Sequence, residues 1–187
     1  MQILHGHQLK IFDQASIVTV GSFDGVHRGH QALLTQLTEQ ARAKGLRSVV
    51  VTFEPHPRIA LGRSEGFELL TENDEKAAWL AHYGVDTLVM LPFDAQLASL
   101  SGVDFAKSIL QQQLHAKMLV AGYNHRFGHD RLAASDLSLP GLELIEVGPF
   151  EVAGLRVSST IIRKLIAAGD YTAAEQLLGH PIKRIEQ

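Results

Sequence analysis

Short apolar runs of strand length alternate along most of the chain with stretches of helical period. The runs are "SIVTV" (16–20), "SVVVTF" (48–53), "TLVML" (87–91), "KMLVAG" (117–122) and "LELIEV" (142–147). Dense in Val, Ile and Leu, they suit strands covered on both faces. Between the first two, Leu33, Leu37 and Ala41 share one helical face, and Gly45 stands where a left-handed residue closes a helix. The pattern predicts a second helix from about Thr71 to Tyr83, with Ala77, Leu80 and Ala81 inward and Gly84 beyond its end. A third is predicted from about Val103 to Leu114. The order βαβαβαβ implies right-handed crossovers and a parallel sheet with helices on both faces. In such sheets ligands bind outside the carboxyl ends of the strands.

The tail "VSSTIIRKLIAAGDYTAAEQLLGHPI" breaks that alternation. It predicts two short helices, about 159–168 and 171–178, divided by Gly169. Two loop-like stretches, 58–74 and 128–141, each follow a strand end, the natural place for segments that close over a site. No repeat or interdomain linker interrupts the pattern.

Composition narrows the class. With 187 residues, 45% hydrophobic and 20% charged, the chain can bury a substantial core as one domain. A net charge of −3 excludes the broad cationic surface of nonspecific nucleic-acid binders, so any phosphate must meet a local site. Absence of cysteine removes disulfides and thiolate-ligated zinc and fits a reducing compartment. No signal-like or membrane-spanning apolar run is present, which reads as a cytosolic protein without a membrane partner. The oligomeric state is left open.

The candidate chemistry lies in "GSFDGVHRGH" (21–30), where three glycines and two histidines occupy ten residues between a strand and a helix. Gly21 and Gly25 permit turns that a Cβ opposes, and Gly29 lets a ligand approach the backbone. His27 and His30, three apart, share a helical face at an N-terminus, where N–H groups and the dipole attract an anion. Two imidazole donors there suit a phosphate. The same pair with Asp24 could instead ligate a metal, or serve structure alone. Neither a P-loop nor a spaced G-x-G-x-x-G is present. In "VSSTIIR", Ser158 or Ser159 can cap a helix and Arg163, one turn along, can fork onto phosphate oxygens; an ordinary capped helix with a surface arginine is the plainer alternative.

"FDGVHRGH" resembles the H-x-G-H signature of the nucleotidylyltransferases, in the form found in prokaryotic FAD synthetases, the FMN adenylyltransferase module of bifunctional riboflavin kinase/FMN adenylyltransferases. "TFEPHP" (52–57), "GYNHRFG" (122–128), "SSTIIR" (158–163) and "LLGHP" (177–181) resemble further segments of that family in order. The resemblance implies a Rossmann-like α/β fold with a C-terminal helical segment, and one FMN adenylyltransferase domain over 1–187 without the riboflavin kinase barrel. On that domain reading, riboflavin would not be phosphorylated.

The resemblance also assigns roles. ATP would be bound by Gly21, Phe23, Gly25, His27, Gly29, His30, Asn124, Ser158, Ser159, Thr160 and Arg163, of which His27, His30 and Arg163 are the catalytic candidates. Phe53, Pro55, Pro57, Phe105 and Phe127 would form the apolar wall for the flavin. His125 stands where a Phe is expected, and 131–157 is short for the family. Arg126, His129 and Arg131 are read as a solvated charged face. Mg²⁺ would arrive with ATP, since no carboxylate cluster marks a protein metal cage. The implied reaction is ATP plus FMN to FAD plus pyrophosphate. Alternatives are adenylyl or cytidylyl transfer to a pantetheine, nicotinamide or polyol phosphate, and a catalytically idle flavin or nucleotide module.

Overall fold

Each predicted apolar run forms a strand, and a sixth strand from the N-terminus joins them. The computed structural model describes residues 1–6 and 9–182. In chain order the main elements are β1 (Gln2–His5), β2 (Ser16–Val20), α1 (Arg28–Lys44), β3 (Arg47–Glu54), α2 (Pro57–Ala60) and α3 (Asn73–His82). They continue with β4 (Thr87–Pro92), α4 (Ala95–Ala98) and α5 (Gly102–Phe105), which runs into a π-helical segment at Ala106–Gln113. Then come β5 (Ala116–Gly122), the hairpin β6 (Arg126–Phe127) and β7 (Leu132–Ala133), and β8 (Glu143–Val147). The hairpin β9 (Glu151–Val152) and β10 (Leu155–Arg156) precedes α6 (Ser159–Ala167) and α7 (Tyr171–Leu178).

Strands β1, β4, β3, β2, β5 and β8 lie side by side in that order, every pairing parallel. Val18 at the centre faces Val49 on one side and Leu119 on the other. All five residues of β2 are buried, as a strand in a doubly covered sheet requires, Ser16 among them with its hydroxyl donating to the Leu114 carbonyl. One face packs on α5 and its continuation, with Val18, Val49 and Leu119 against Phe105, Leu110 and Leu114. The other packs on α1 and α3, with Ile17, Val50 and Leu88 against Leu34, Leu37 and Leu80. Each such side chain contributes about 1.5–3 kcal/mol by leaving water. A smaller core under α6 and α7 holds Val157, Ile162, Leu177 and Leu178.

The helix α1 buries Leu33, Leu37 and Ala41 as predicted, adds Leu34, and ends on Gly45 at φ 63°. Helix α3 departs from expectation. Ala81 is exposed, whereas Lys76 and Leu80 are buried. The two lie four residues apart and therefore share a face, while Ala81 is rotated about 100° away. Burial of Lys76 is tolerated because its Nζ donates to Asn73 Oδ1 at 3.3 Å and negative groups surround it, led by Asp24. No helix among the described residues is long and apolar enough to cross a membrane.

Candidate nucleotide and flavin site

Strand β2 has β3 and β4 to one side and β5 and β8 to the other, so the chain reverses its direction of travel across the sheet there. Past the carboxyl ends at that reversal lies a cleft of about 890 Å³. Successive strand ends supply its wall: Gly21 and Phe23 after β2, Phe53 and Pro57 at and after β3, Phe93 after β4, Asn124 after β5 and Gly148 after β8.

The turn from β2 into α1 is unusually contorted. Phe23, Gly25 and Val26 have φ of 48°, 83° and 34°, and only the glycine adopts such a backbone without strain. A side chain at Gly25 would also meet Leu70 Cδ1 at 2.8 Å. The path aims the first turn of α1 at the cleft, with Gly29 and His30 on its wall. His27 has a different place: it is the N-cap, its Nδ1 accepting from the His30 amide at 3.2 Å, and it stands behind His30 rather than on the wall. The accepting Nδ1 fixes the proton of a neutral ring on Nε2. The two imidazoles stack at 3.6 Å with planes 9° apart. His30 Nδ1 is buried and has no hydrogen-bond partner within the protein. An orphaned polar atom at a helix N-terminus is the kind of site a ligand completes.

Asp24 organises the opposite wall. Its carboxylate is 2% exposed and pairs with Arg163 of α6. Oδ1 also accepts from the backbone amides of Leu70 at 2.8 Å and Thr71 at 3.3 Å. Arg163 Nε donates to the Glu68 carbonyl at 2.6 Å, and its guanidinium lies 4.2 Å above the Phe67 ring. Ser159 Oγ donates to the Asp24 carbonyl at 2.9 Å, while Ser158 is the N-cap of α6, accepting from the Ile161 amide. One buried carboxylate thus ties the histidine turn, the 58–74 loop and the α6 helix together. Asp24 is accordingly not poised beside the histidines as a metal ligand. No group of three or more His, Asp or Glu among the described residues is placed to hold a metal.

An aromatic wall closes the remaining side. Phe53 contacts Phe93 edge-on at 5.5 Å and Phe105 at 6.4 Å, and Phe105 stacks on Phe127 at 6.1 Å. His125, in the place of an expected Phe, packs against Phe127 at 4.3 Å. Burial lowers its pKa to about 4, so at neutral pH it is an uncharged ring that serves as a fifth aromatic face.

Burial likewise lowers His27 to about 4, its own backbone opposing slightly. His30 falls well below the ordinary imidazole value through burial, then the positive potentials of His27 and Lys76. Both rings are therefore neutral N–H donors at pH 7. In the unfolded chain they take protons near pH 6.5, so between 6.5 and 4 the unfolded state binds more protons and stability is lost as pH falls. His27 alone should cost about 2 kcal/mol between pH 7.5 and 5. Urea unfolding at those two values should show a clearly lower midpoint at pH 5, and equal midpoints would contradict buried neutral histidines.

Of the residues expected from sequence, the structure brings Gly21, Phe23, Gly29, His30, Asn124, Ser159, Thr160, Arg163, Phe53, Pro57, Phe105 and Phe127 onto one cleft wall. Gly25, His27 and Pro55 lie off it, and Ser158 lines an adjoining cavity of about 390 Å³ with Tyr123 and Arg156. Arg126, His129 and Arg131, expected on a solvated face, are exposed yet stand on the cleft wall. Phe93, Tyr123, His56 and Phe67 were missed. Phe93 and Tyr123 had a signal, since each directly follows a buried strand at its carboxyl end.

The FAD synthetase family model matches residues 9–161. The bifunctional riboflavin kinase/FMN adenylyltransferase of Pseudomonas fluorescens is 38% identical over 98% of this chain, and that of Escherichia coli K12 is 35% identical over 97%. The chain spans 60% of the length of each. A Streptococcus pneumoniae structure named a macrolide-efflux protein superposes with TM-score 0.87 at 34% identity, covering 97% of this chain and 61% of that one. Pantoate-beta-alanine ligase from Francisella tularensis shares the fold at TM-score 0.56 and 14% identity, over 100% of this chain and 89% of its own.

Proposed function

The chain belongs to the FAD synthetase family, and from that premise we propose that it transfers AMP from ATP to the phosphate of FMN, releasing FAD and pyrophosphate. The observation that carries this reading is the union in one cleft of an anion-attracting corner and an aromatic wall. Phosphates suit the α1 N-terminus, His30 and Arg163, and a flat tricyclic ring suits Phe53, Phe93, Phe105 and Phe127.

No enzyme nucleophile is needed. An FMN phosphate oxygen forms a bond to the α-phosphorus of ATP as the bond from that phosphorus to the β-phosphate oxygen breaks, and pyrophosphate carries the electron pair away. The protein holds the two substrates in line and meets the charge that builds on phosphate oxygens. The His30 ring and the α1 amides face the reacting phosphate. His27 orders the turn from which those amides project. Arg163, with Ser159 and Thr160 beside it, receives the leaving pyrophosphate. Arg126 and Arg131, exposed on the cleft wall, supply positive potential that draws two anionic substrates inward.

The donor set does not form a protein cage for Mg²⁺. Asp24 is the one acidic side chain among the described residues that line the cleft, and its oxygens are taken by Arg163 and two amides. ATP is therefore written as its Mg²⁺ complex, with the ion held by phosphates and water. Chelator-stripped protein should convert FMN and ATP to equimolar FAD and pyrophosphate once Mg²⁺ is added. Riboflavin, phosphopantetheine and nicotinamide mononucleotide should yield no adenylylated product by chromatography. Adenylylation of another acceptor in preference to FMN, or one tightly held transition metal per chain, would overturn the assignment.

A further inference from the structure

The family match ends at residue 161, yet the histidine corner is fastened from beyond it. Three hydrogen bonds reach residues 25–31 from that segment, and a fourth braces the turn from within. Arg28 Nε donates to the Gln176 carbonyl at 2.8 Å. Gln31 Nε2 donates both to the Leu178 carbonyl at 2.7 Å and, across the turn, to the Val26 carbonyl at 2.9 Å. His180 Nε2 lies 2.9 Å from the Gly25 carbonyl and Nδ1 lies 3.0 Å from that of Pro181, so a neutral ring can donate to one of them and a protonated ring to both. Packing reinforces these bonds. Leu178 Cδ2 would lie 3.1 Å from a Cβ at Gly25, and Gly179, at φ 80°, admits Gln31 and Arg28 so closely that a Cβ would meet them at 3.0–3.1 Å. His180 is 8% exposed and stacks on Trp79 of α3 at 4.6 Å, while Glu175 Oε1 accepts from the Ile182 amide and closes the segment on itself.

The fastened turn is the strained one. Phe23 and Val26 hold backbone angles that cost of order 1–3 kcal/mol each and persist only where the surroundings over-determine them. The Gly25 carbonyl is engaged from that segment directly by His180, and the Val26 carbonyl by Gln31, which the segment holds through the Leu178 carbonyl. We infer that the segment from Tyr171 to Ile182 is a clasp that holds the His27–His30 corner in its working geometry, with His180 and Gln31 as positioning residues. Neither touches the cleft wall. Each acts through the backbone that aims α1 and His30, and misplacement of a reacting group by about 1 Å can cost about 100-fold in rate. The catalytic half of this inference rests on the adenylyl-transfer reading; the mechanical half does not.

The test uses the full chain carrying His180→Ala, His180→Gln or Gln31→Ala, each first verified as folded by circular dichroism. Hydrogen–deuterium exchange should accelerate about tenfold or more across 26–31 in His180→Ala and Gln31→Ala, with β3 unchanged. The single tryptophan, Trp79, should report loss of its ring partner as a shifted emission. Turnover to FAD should fall about 10- to 100-fold with the KM for FMN within about twofold. His180→Gln, whose amide can still donate to Gly25, should recover most of both. Should His180→Ala fail to fold, Gln31→Ala decides. Unchanged exchange across 26–31 in a folded variant overturns the clasp, and faster exchange with wild-type turnover overturns the positioning role. Were the wild type itself to make no FAD, the functional reading would fall while exchange still judged the clasp.

Discussion

His30→Ala is expected to lower FAD formation by about 100- to 1,000-fold, the usual cost of one donor aimed at developing charge, and to leave FMN binding nearly unchanged. The ring stands on the cleft wall at the first turn of α1, and its buried Nδ1 has no protein partner that the substitution would orphan. The stability loss should therefore be confined to the ring's packing on His27 and Phe23. Burial keeps the ring neutral, so the lost interaction is a neutral N–H donor, and the deficit should be the same at pH 7 and pH 8.5. Turnover and FMN affinity measured on the same preparation check both halves. A variant of full speed would remove His30 from the mechanism.

Arg163→Ala should do damage of two kinds. It removes the cation expected to receive pyrophosphate, which should lower turnover about 100-fold or more. It also strips the Asp24 carboxylate, 2% exposed, of its ion-pair partner, leaving the Leu70 and Thr71 amides as hydrogen-bond donors and the more distant field of Lys76. Breaking a buried pair from one side costs about 3–5 kcal/mol because an uncompensated charge stays inside. The two effects separate in the double variant Asp24→Asn/Arg163→Ala, which removes the charge as well. Urea unfolding should show most of the stability restored, while turnover stays low. If stability does not return, the stranded charge is not the cause, and lost packing of Arg163 on Phe67 takes its place. Arg163→Lys should keep a charge beside Asp24 but lose the planar fork, and is expected to recover stability more than rate.

What could be read from sequence followed the reach of each signal. Strands β2, β3, β4 and β5 declare themselves because a doubly covered strand leaves an unbroken apolar run. Strand β1 does not: its four residues include two polar ones, and its partner, β4, is more than eighty residues away. Lys76 was passed over because a lysine in a helix reads as an outward residue, and only the acidic surroundings supplied by Asp24, Glu54 and Glu72 make it an inward one. At the site, His30, Arg163 and the phenylalanines singled out from sequence line the cleft. The motif could not distinguish His30, on the wall, from His27, turned into a helix cap, because residue type and spacing do not say where the helix begins. His125, Arg126, His129 and Arg131 likewise needed the β6–β7 hairpin to show that they face the cleft.

The contact between Asp24 and Arg163 spans 139 residues of chain, and the one between His180 and Gly25 spans 155. Closing loops of that size carries an entropic penalty that only the finished sheet can offset. High contact order of this kind slows folding and places site assembly at its end. On the ribosome, the strands and α1 can pair while the histidine turn still lacks the two segments that hold it. A nascent chain halted before residue 160 would therefore carry the whole H-x-G-H sequence without the two contacts that order its turn, and the proposed phosphate site would be complete only once the segment from Arg163 to His180 had emerged.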